Sequence, residues 1–285
     1  MKFAFVKEHR TRWPVRVICR VLKVARSGFY AWLKRKPSSR QIRQQKLLEK
    51  IKAKHLENRQ LYGSPRVHRA LLIDGEVVCR HTVAKLMRQA KIRAKTRRRF
   101  VPRTTDSNHC KPVADNLLER DFTASEPNRK WVADITYVPT DEGWLFCAAV
   151  LDCFSRRIVG WAMSDSMPTD LVSDALKMAL LHRQPGGDLI HHSDRGVQYA
   201  SDGFQKLLTE NQIAVSMSRR GDCYDNAMME SFWATLKTEL IHPQEYRTRE
   251  QARQSIFEYI EVFYNRKRLH SSLGYVSPES FEEAA

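Results

Sequence analysis

Three acidic residues in the second half of the chain stand where a carboxylate could take part in chemistry. Asp194 lies in HHSDRG, where an apolar run ends before Gly196, so we expect it at a strand end or in the loop just after. Strand ends are where sheets usually present functional side chains. Asp134 lies in WVADITYV, whose alternating β-branched and aromatic residues predict a β-strand. Its carboxylate would share one face of that strand with Val132, Thr136 and Val138, where an acid without a partner would be energetically costly.

The third acid, Glu230, lies in a predicted helix from Asn226 to Leu240. At about 100° per residue, Glu230 and Lys237 project from the same edge of this helix, two turns apart. In this position the carboxylate could be a metal ligand and the amine could contact a phosphate. The alternative is an ordinary charge pair on a solvated helix edge. The helix is predicted from one apolar stripe at helical spacing, formed by Met229, Phe232, Trp233, Leu236 and Leu240.

The three acids and their surroundings resemble a known family. From about Leu117 onward, the chain resembles the transposases of bacterial insertion sequences that share the retroviral-integrase catalytic core, in particular the second reading-frame product of two-frame elements. Thirty-five residues separate Asp194 from Glu230, which is the family's spacing, and Lys237 matches its basic residue seven positions later. The motifs that carry the resemblance are WVADITYV, LDCFSRRIVGWAM, HHSDRGVQYAS, SRRGDCYDNAMMESFWATLK and YNRKRLHSSLGYVSPESF.

The resemblance implies a metal-dependent polynucleotidyl transferase whose catalytic residues and metal ligands are Asp134, Asp194 and Glu230. It implies two Mg²⁺ ions about 4 Å apart, with Mn²⁺ as a substitute, because Mg²⁺ prefers carboxylate oxygens. Asp134 would bridge the ions, and the other two acids would each bind one. Water would first free a 3′ hydroxyl at the element end, and that hydroxyl would attack another phosphodiester without a covalent protein intermediate.

The resemblance also implies the partners of the chain. They are double-stranded DNA, as the terminal inverted repeats of the element and as target DNA, and further copies of the chain, because two ends must be joined. The product of the first reading frame, separate or fused, is a further expected partner. A catalytically inactive DNA-binding regulator and a ribonuclease-H-like nuclease are alternatives. The intact acids argue against the regulator, and the basic amino-terminal part argues against the nuclease.

Positive charge is concentrated in the first part of the chain. The formal net charge is +17 and the isoelectric point is about 9.8. Residues 1–100 contain 29 Lys and Arg against 5 Asp and Glu, whereas the remaining 185 residues contain 20 against 27. We therefore expect the front of the chain to bind a polyanion and the rest to form a slightly acidic globule.

Cysteine spacing and hydropathy exclude several classes of protein. The six cysteines form no CxxC pair and no paired spacing with histidines, so neither a zinc site nor a disulfide framework is predicted. The terminus MKFAFVKEHR is too short and too charged for a signal sequence, and no apolar run approaches the roughly 20 residues of a membrane helix. We expect mostly buried thiols and a cytoplasmic protein.

Two patterns in the basic part are typical of helix-turn-helix modules. The first spans residues 14–33. The second has Ser64 as predicted N-cap, Pro65 at the first helical position, a turn at Asp74 and Gly75, and a second helix from near Cys79 to Ala90. The second helix of such a motif enters the major groove, and the alternative is a structural helical hairpin. The candidate DNA contacts are Arg66, Arg80, His81, Lys85 and Arg88.

Three further segments carry candidate DNA contacts. The run KIRAKTRRR, from Lys91 to Arg99, contains six basic residues and predicts a linker or an arm that follows phosphates. The loop SRRGDCYDNA suits DNA gripping, although most loops of this composition are turns. The candidates from the run and the loop are Arg97, Arg98, Arg99, Arg219 and Arg220, and Lys237 of the following helix is a further candidate. Weaker candidates in the tail are Arg266, Lys267 and Arg268.

The predicted fold class is α/β. It consists of a ribonuclease-H-like integrase core, with a mixed five-stranded sheet and helices, preceded by small all-α helix-turn-helix modules. Pattern alone predicts only a mixed sheet that begins with three antiparallel strands, and the specific fold is implied by the resemblance. The predicted domains are a first module at 1–36, a basic connecting helix at 37–60, a second module with its basic arm at 61–100, a linker at 101–116, the catalytic core at 117–240 and a carboxy-terminal helix and tail at 241–285.

Other polar residues near the motifs have structural interpretations. Asp152 ends the second predicted strand, and we favour a structural role over a supporting role beside Asp134. Neither His191 nor His192 is predicted to be a metal ligand, because no partner stands at a suitable spacing. Turn or cap roles are predicted for Asp141, Glu142, Asp222 and Asp225.

Overall fold

The amino-terminal part of the chain is helical throughout its described elements. A computed structural model describes residues 2–95, 114–219 and 223–285. The first three helices pack around the buried side chains of Val6, Ile18 and Phe29. The first of them was not predicted, because its apolar residues do not form one stripe. The helices are α1 (Lys2–His9), α2 (Val15–Val21) and α3 (Arg26–Lys34).

The next three helices, α4 (Ser39–Glu57), α5 (Ser64–Ile73) and α6 (Arg80–Gln89), form the predicted second module and its connecting helix. A capping box begins α4, in which Ser38 Oγ accepts from the Gln41 N–H and the Gln41 side chain accepts from the Ser38 N–H. The N-cap prediction for α5 is wrong by one residue. Gly63 occupies the N-cap and Ser64 is the first helical residue, because Pro65 fits either of the first two helical positions.

Five strands form one mixed sheet, with spatial order β3-β2-β1-β4-β5. The pairs β1–β2 and β2–β3 are antiparallel, which confirms the predicted meander, and β1–β4 and β4–β5 are parallel. Short turns allow the antiparallel pairs, whereas helical crossovers are needed for the parallel ones. The strands are β1 (Lys130–Thr140), β2 (Gly143–Asp152), β3 (Ile158–Ser164), β4 (Ile190–Ser193) and β5 (Ala214–Met217).

Helices cover both faces of the sheet and enclose two apolar cores. One face packs on α7 (Thr169–Arg183) and α8 (Asp202–Glu210). The other packs on α9 (Ala227–Leu236) and α10 (Arg249–Phe257), which continue as π-helical turns at Lys237–Ile241 and Glu258–Tyr264. A final helix, α11, spans Pro278–Glu283. The predicted ribonuclease-H-like α/β fold class is therefore confirmed.

Helix α7 lies so close to β3 that only glycine fits at the contact. A Cβ atom added to Gly160 would lie 2.2 Å from the carbonyl oxygen of Ala175. This close approach packs α7 against β3, the edge strand of the sheet.

Two buried ion clusters hold peripheral elements on the core. At the first, Asp152 accepts hydrogen bonds from the indole of Trp131 and the backbone of Asn128, and it pairs with Arg183. Arg183 also binds Glu282 of α11, with both Nη atoms at 2.8 Å. The structural role predicted for Asp152 agrees with these contacts.

The second cluster joins the amino-terminal module to the core. Tyr62 is buried, and its hydroxyl donates to the Lys267 carbonyl and accepts from the Leu269 N–H. Arg268 binds Glu239 through Nε at 2.8 Å and Nη2 at 2.7 Å. Arg268 is only 3% exposed, so its predicted role as a DNA contact in the tail is wrong.

The predicted domain limits remain predictions. The 101–116 linker lies mostly outside the described residues, which resume at residue 114. Within the described ranges, no helix is both long enough and apolar enough to cross a membrane.

Candidate active site

Asp134 lies in the middle of β1, on the face that packs against α9. Its Oδ1 accepts a hydrogen bond from the Ile135 N–H at 2.8 Å, and its Oδ2 accepts one from the indole Nε1 of Trp233 at 3.1 Å. The alternation of β1 places this carboxylate among buried side chains, as predicted from the sequence. Protein donors therefore fix its orientation.

Asp194 follows the last residue of β4 and is brought beside Asp134 by the strand pairing. The parallel register pairs Trp131 with His191 and Val132 with His192. Two residues further along each strand, the same register leads to Asp134 and Asp194, and neighbouring strands are about 4.8 Å apart. The Gly196 N–H donates to Asp194 Oδ1 at 2.9 Å, which holds the carboxylate at the end of the strand.

Glu230 lies on the exposed side of the first turn of α9. This helix is attached to β1 at two points, through Trp233 and through Asn226, whose Nδ2 donates to the Ala133 carbonyl at 3.1 Å. The apolar stripe predicted from the sequence is buried and fixes the rotation of the helix. Glu230 therefore faces the same region as the two aspartates.

Lys237 begins the π-helical turn that follows α9. Its Nζ lies 4.8 Å from the centroid of the Tyr137 ring. Burial lowers the pKa of Lys237, and the nearby negative charge of Asp134 partly offsets that shift. The amine is thus placed on the same side of the sheet as the acids, as expected from its spacing to Glu230.

The three acids act on one another electrostatically. Burial raises the pKa of Asp134 above its usual range, and the negative charge of Asp194 raises it further. Glu230 contributes in the same direction, while the hydrogen bonds from Ile135 and Trp233 lower it. Like charges in one place favour protonation or a bound cation. The arrangement can therefore attract a cation.

The carboxylates do not close on one point. Among residues 2–95, 114–219 and 223–285, no group of three or more His, Cys, Asp or Glu side chains is arranged to hold a metal ion. Asp134 directs its oxygens to protein donors, and Glu230 is exposed. Because like charges repel, three carboxylates without a cation are not expected to converge.

A cleft of about 650 Å³ opens beside Glu230. One wall is the exposed face of α9, including Ser231 and Thr235, and the other is formed by the start of α5 and by Ala94 and Lys95. The amino-terminal module therefore stands directly next to the third acid.

The two histidines before Asp194 are buried, and their rings contact other protein groups. His192 makes hydrogen bonds to Ser216 Oγ at 2.8 Å and Ser218 Oγ at 3.0 Å. His191 packs against the rings of Tyr199 and Phe204. Burial lowers the pKa of both histidines, to about 3 for His191 and about 4 for His192.

Apart from Lys237, the candidate DNA contacts fall into four groups. Arg80, His81, Lys85 and Arg88 lie on the exposed surface of α6. Arg66 instead faces the core, with Nη1 3.8 Å from Glu239 Oε1. Arg97, Arg98, Arg99 and Arg220 lie outside the described residues.

The remaining candidate, Arg219, is tied to Asp225. The Asp225 carboxylate accepts from the backbone and the guanidinium of Arg219 and from Arg120 Nε. Asp225 is buried, and the two arginines hold its pKa well below the usual range. The turn or cap role predicted for Asp225 is therefore incomplete, since the residue anchors the loop before α9.

The hydrogen bond from Trp233 to Asp134 was not predicted from the sequence. The helical spacing of Trp233 predicted burial in the apolar stripe, which is correct, but gave no partner for the indole N–H. A tryptophan three residues after Glu230 on the helix that covers an acid-bearing strand is the only signal that the sequence offers, because a buried indole N–H usually finds an acceptor.

Three protein-family models match parts of the chain. Two models described as "Integrase core domain" match residues 124–223 and 211–278. A model described as "HTH-like domain" matches residues 42–100. The first two ranges include Asp134, Asp194 and Glu230, and the third includes most of α4 and all of α5 and α6.

Relatives match nearly the whole chain. Transposase InsF of insertion sequence IS3A from Escherichia coli K12 is 45% identical over 284 residues, covering 99% of this chain and 98% of the relative. The uncharacterized 31 kDa protein of insertion element IS600 from Shigella sonnei is 44% identical over 266 residues, covering 93% and 97%. The solved integrase catalytic core domain of HTLV-2 is 14% identical, with a TM-score of 0.44 over 56% of this chain and 99% of that chain.

Proposed function

This chain belongs to the InsF-like transposases of bacterial insertion sequences, and we propose that Asp134, Asp194 and Glu230 form the active site that cleaves and joins DNA at the ends of its element. The chain is a DNA transposase and a DDE-type polynucleotidyl transferase with an HTH-like domain. The observation that supports the three residues most is that β1, the end of β4 and α9 bring them to one region, where Asp194 and Glu230 both act on the charge of Asp134 and Trp233 joins α9 to Asp134.

The three carboxylates suit Mg²⁺, which prefers hard oxygen ligands. In our proposal, Asp134, Asp194 and Glu230 would together hold two such ions, and Mn²⁺ could replace Mg²⁺. When bound, such ions activate the attacking oxygen and stabilise the leaving oxygen of a phosphodiester. Burial raises the pKa of Asp134, and repulsion from Asp194 raises it further. A divalent cation would relieve that repulsion.

The residues around the acids have separate roles in the proposal. Trp233 and the Ile135 N–H orient Asp134, and the Gly196 N–H orients Asp194. Lys237 holds a positive charge on the same side, where it can bind a DNA phosphate. The exposed cations of α6 would contact duplex DNA through the major groove.

The partners follow from the reaction. The chain would bind the terminal inverted repeats of its element and then target DNA, and act in the bacterial cytoplasm. Two ends must be brought together, so an oligomer on DNA is proposed, with the first-frame product or a fused form as a further partner.

The test is strand transfer on a labelled duplex that carries the element's own end, with Mg²⁺. The parent chain is compared with Glu230→Gln, which keeps the size of the side chain and removes its charge. Joined products that vanish in the variant, with duplex binding retained, would support the proposal. Joining that persists in Glu230→Gln would refute the role of the third acid, and binding without joining by either protein, even with the first-frame product added, would favour a regulator.

A further inference from the structure

A cationic groove lies on the amino-terminal module, away from the three acids. Its volume is about 420 Å³, and it separates the start of α4 from α6. The lining consists of four cations and three neutral polar residues, with no acid among them. The cations are Arg35, Lys36, Arg40 and Lys85.

These four cations differ from those further along α4. In the described ranges, no carboxylate forms an ion pair with any of them. By contrast, Lys50, Lys52 and Lys54 in the second half of α4 pair with Glu76, Glu49 and Glu57. The charge of α4 is therefore balanced at its end and unbalanced at its start. Unpaired like charges around one groove repel, and an anion would relieve that repulsion.

The groove is held in place by defined contacts. The capping box of Ser38 and Gln41 fixes the first turn of α4. One turn later, Arg43 Nη2 donates to the Val77 carbonyl at 3.1 Å, which attaches the start of α4 to the connection between α5 and α6. The distance between the cations of residues 35–40 and Lys85 is thus set by the fold of the module.

Lys85 lines the groove and also lies on the face of α6 that is predicted to contact DNA. His81, Lys85 and Arg88 stand at helical spacings of four and three, so they share one side of α6, and all three are exposed. A helix in the major groove lies between the two sugar-phosphate strands. A cationic groove at the edge of α6 would therefore meet one of those strands.

We infer that the groove formed by Arg35, Lys36, Arg40 and Lys85 binds the phosphodiester backbone of duplex DNA beside the α6 recognition surface. This inference rests on the proposed function and adds a binding site to it. Phosphate contacts fix the position and orientation of a protein on the duplex and carry no sequence information directly. The groove would accordingly set the register of α6 without choosing the sequence.

The test uses the full chain with the triple substitution Arg35→Gln, Lys36→Gln and Arg40→Gln. The matched control is Lys52→Gln, Lys177→Gln and Lys206→Gln, which removes the same charge at exposed sites paired with exposed acids. Affinity for the element-end duplex and for a scrambled duplex is measured against salt concentration. Circular dichroism verifies that both variants keep the parent's helix content.

Each phosphate neutralised contributes about 0.9 to the slope of log affinity against log salt. We expect the groove variant to reduce the magnitude of that slope by about 2 to 3 and to weaken binding to both duplexes by the same factor. Both effects should be larger than those of the control variant. A slope equal to that of the control would overturn the inference. A change in the ratio between the affinities for the two duplexes would also overturn it. Failure of the parent to bind and join DNA would instead refute the proposed function.

Discussion

The indole N–H of Trp233 donates a hydrogen bond to Asp134 Oδ2 at 3.1 Å. This contact links the helix that carries Glu230 to the strand that carries the first aspartate. It also leaves Asp134 with a defined orientation before any cation or DNA is present. Hydrogen-bonding partners of metal-binding carboxylates commonly matter nearly as much as the carboxylates themselves.

Trp233→Phe keeps the aromatic packing and removes this hydrogen bond. Loss of such a partner usually costs about 10- to 100-fold in metal affinity or activity, so we expect strand transfer to fall by that factor and to require more Mg²⁺. The control is Trp161→Phe, which loses an indole hydrogen bond to Glu261 at 2.7 Å two strands away. Equal metal requirements in the two variants would contradict the role of Trp233.

A side chain at Gly196 would crowd the carboxylate of Asp194. A Cβ atom there would lie 3.0 Å from Asp194 Oδ1, whereas one at Gly203 would meet nothing within 4 Å. We expect Gly196→Ala to reduce strand transfer about tenfold, which corresponds to about 1.4 kcal/mol, with little change in melting temperature. Gly203→Ala in α8 should keep full activity and add up to about 1 kcal/mol of stability. Full activity of Gly196→Ala would show that Asp194 tolerates displacement.

The stability of the metal-free protein should depend on the charge of Asp134. Its pKa is raised in the folded state, so the folded chain holds this proton at pH values where the unfolded chain has lost it. The stabilising contribution is full below the unfolded pKa of about 3.9 and is lost as pH rises through the folded pKa. Asp134→Asn removes the dependence, and its melting temperature relative to the parent should increase from pH 5 to pH 8.

Saturating Mg²⁺ should reduce the change with pH in the difference between the two melting temperatures, because a bound cation offsets the charge of the parent's carboxylate. Melting curves of both proteins at four pH values, with and without Mg²⁺, make the comparison. A difference between the two melting temperatures that stays constant across the range would mean that Asp134 ionises normally in the folded chain.

The Glu239–Arg268 pair, which belongs to the buried cluster that Tyr62 and Arg66 of the amino-terminal module contact, should stabilise the folded chain. Both side chains are buried, at 8% and 4% exposure. Glu239→Gln leaves a buried guanidinium without a counter-charge, which costs about 3–5 kcal/mol. We expect a large drop in the urea midpoint of unfolding, against almost none for Glu49→Gln, whose pair with Lys52 is exposed. Similar midpoints for the two variants would show that this buried pair does not stabilise the folded chain.

The sequence predicted those parts of the fold that depend on local periodicity. Alternation places Asp134 in a strand, and helical spacing buries the stripe that orients Glu230. The adjacency of Asp134 and Asp194 was not available from the pattern, because it depends on the parallel pairing of residues 60 positions apart in the sequence. The family resemblance implied it.

Contacts between distant elements account for the errors. Arg268 lies in a basic run that suggests DNA binding, but its partner Glu239 is 29 residues away on another element. Asp225 lies in a loop of turn residues, yet Arg120 reaches it from 105 residues away. Composition cannot reveal such pairs, because burial is decided by tertiary packing.

The most direct test of the three-acid site is divalent metal binding, measured with Mn²⁺ by electron paramagnetic resonance on the full chain bound to an element-end duplex. The parent is compared with Asp134→Asn, Asp194→Asn and Glu230→Gln, and with Asp188→Asn as an exposed control. We predict that the parent binds two ions in this complex, that each site variant loses at least one, and that the control matches the parent. Unchanged Mn²⁺ binding in all three site variants would contradict the account.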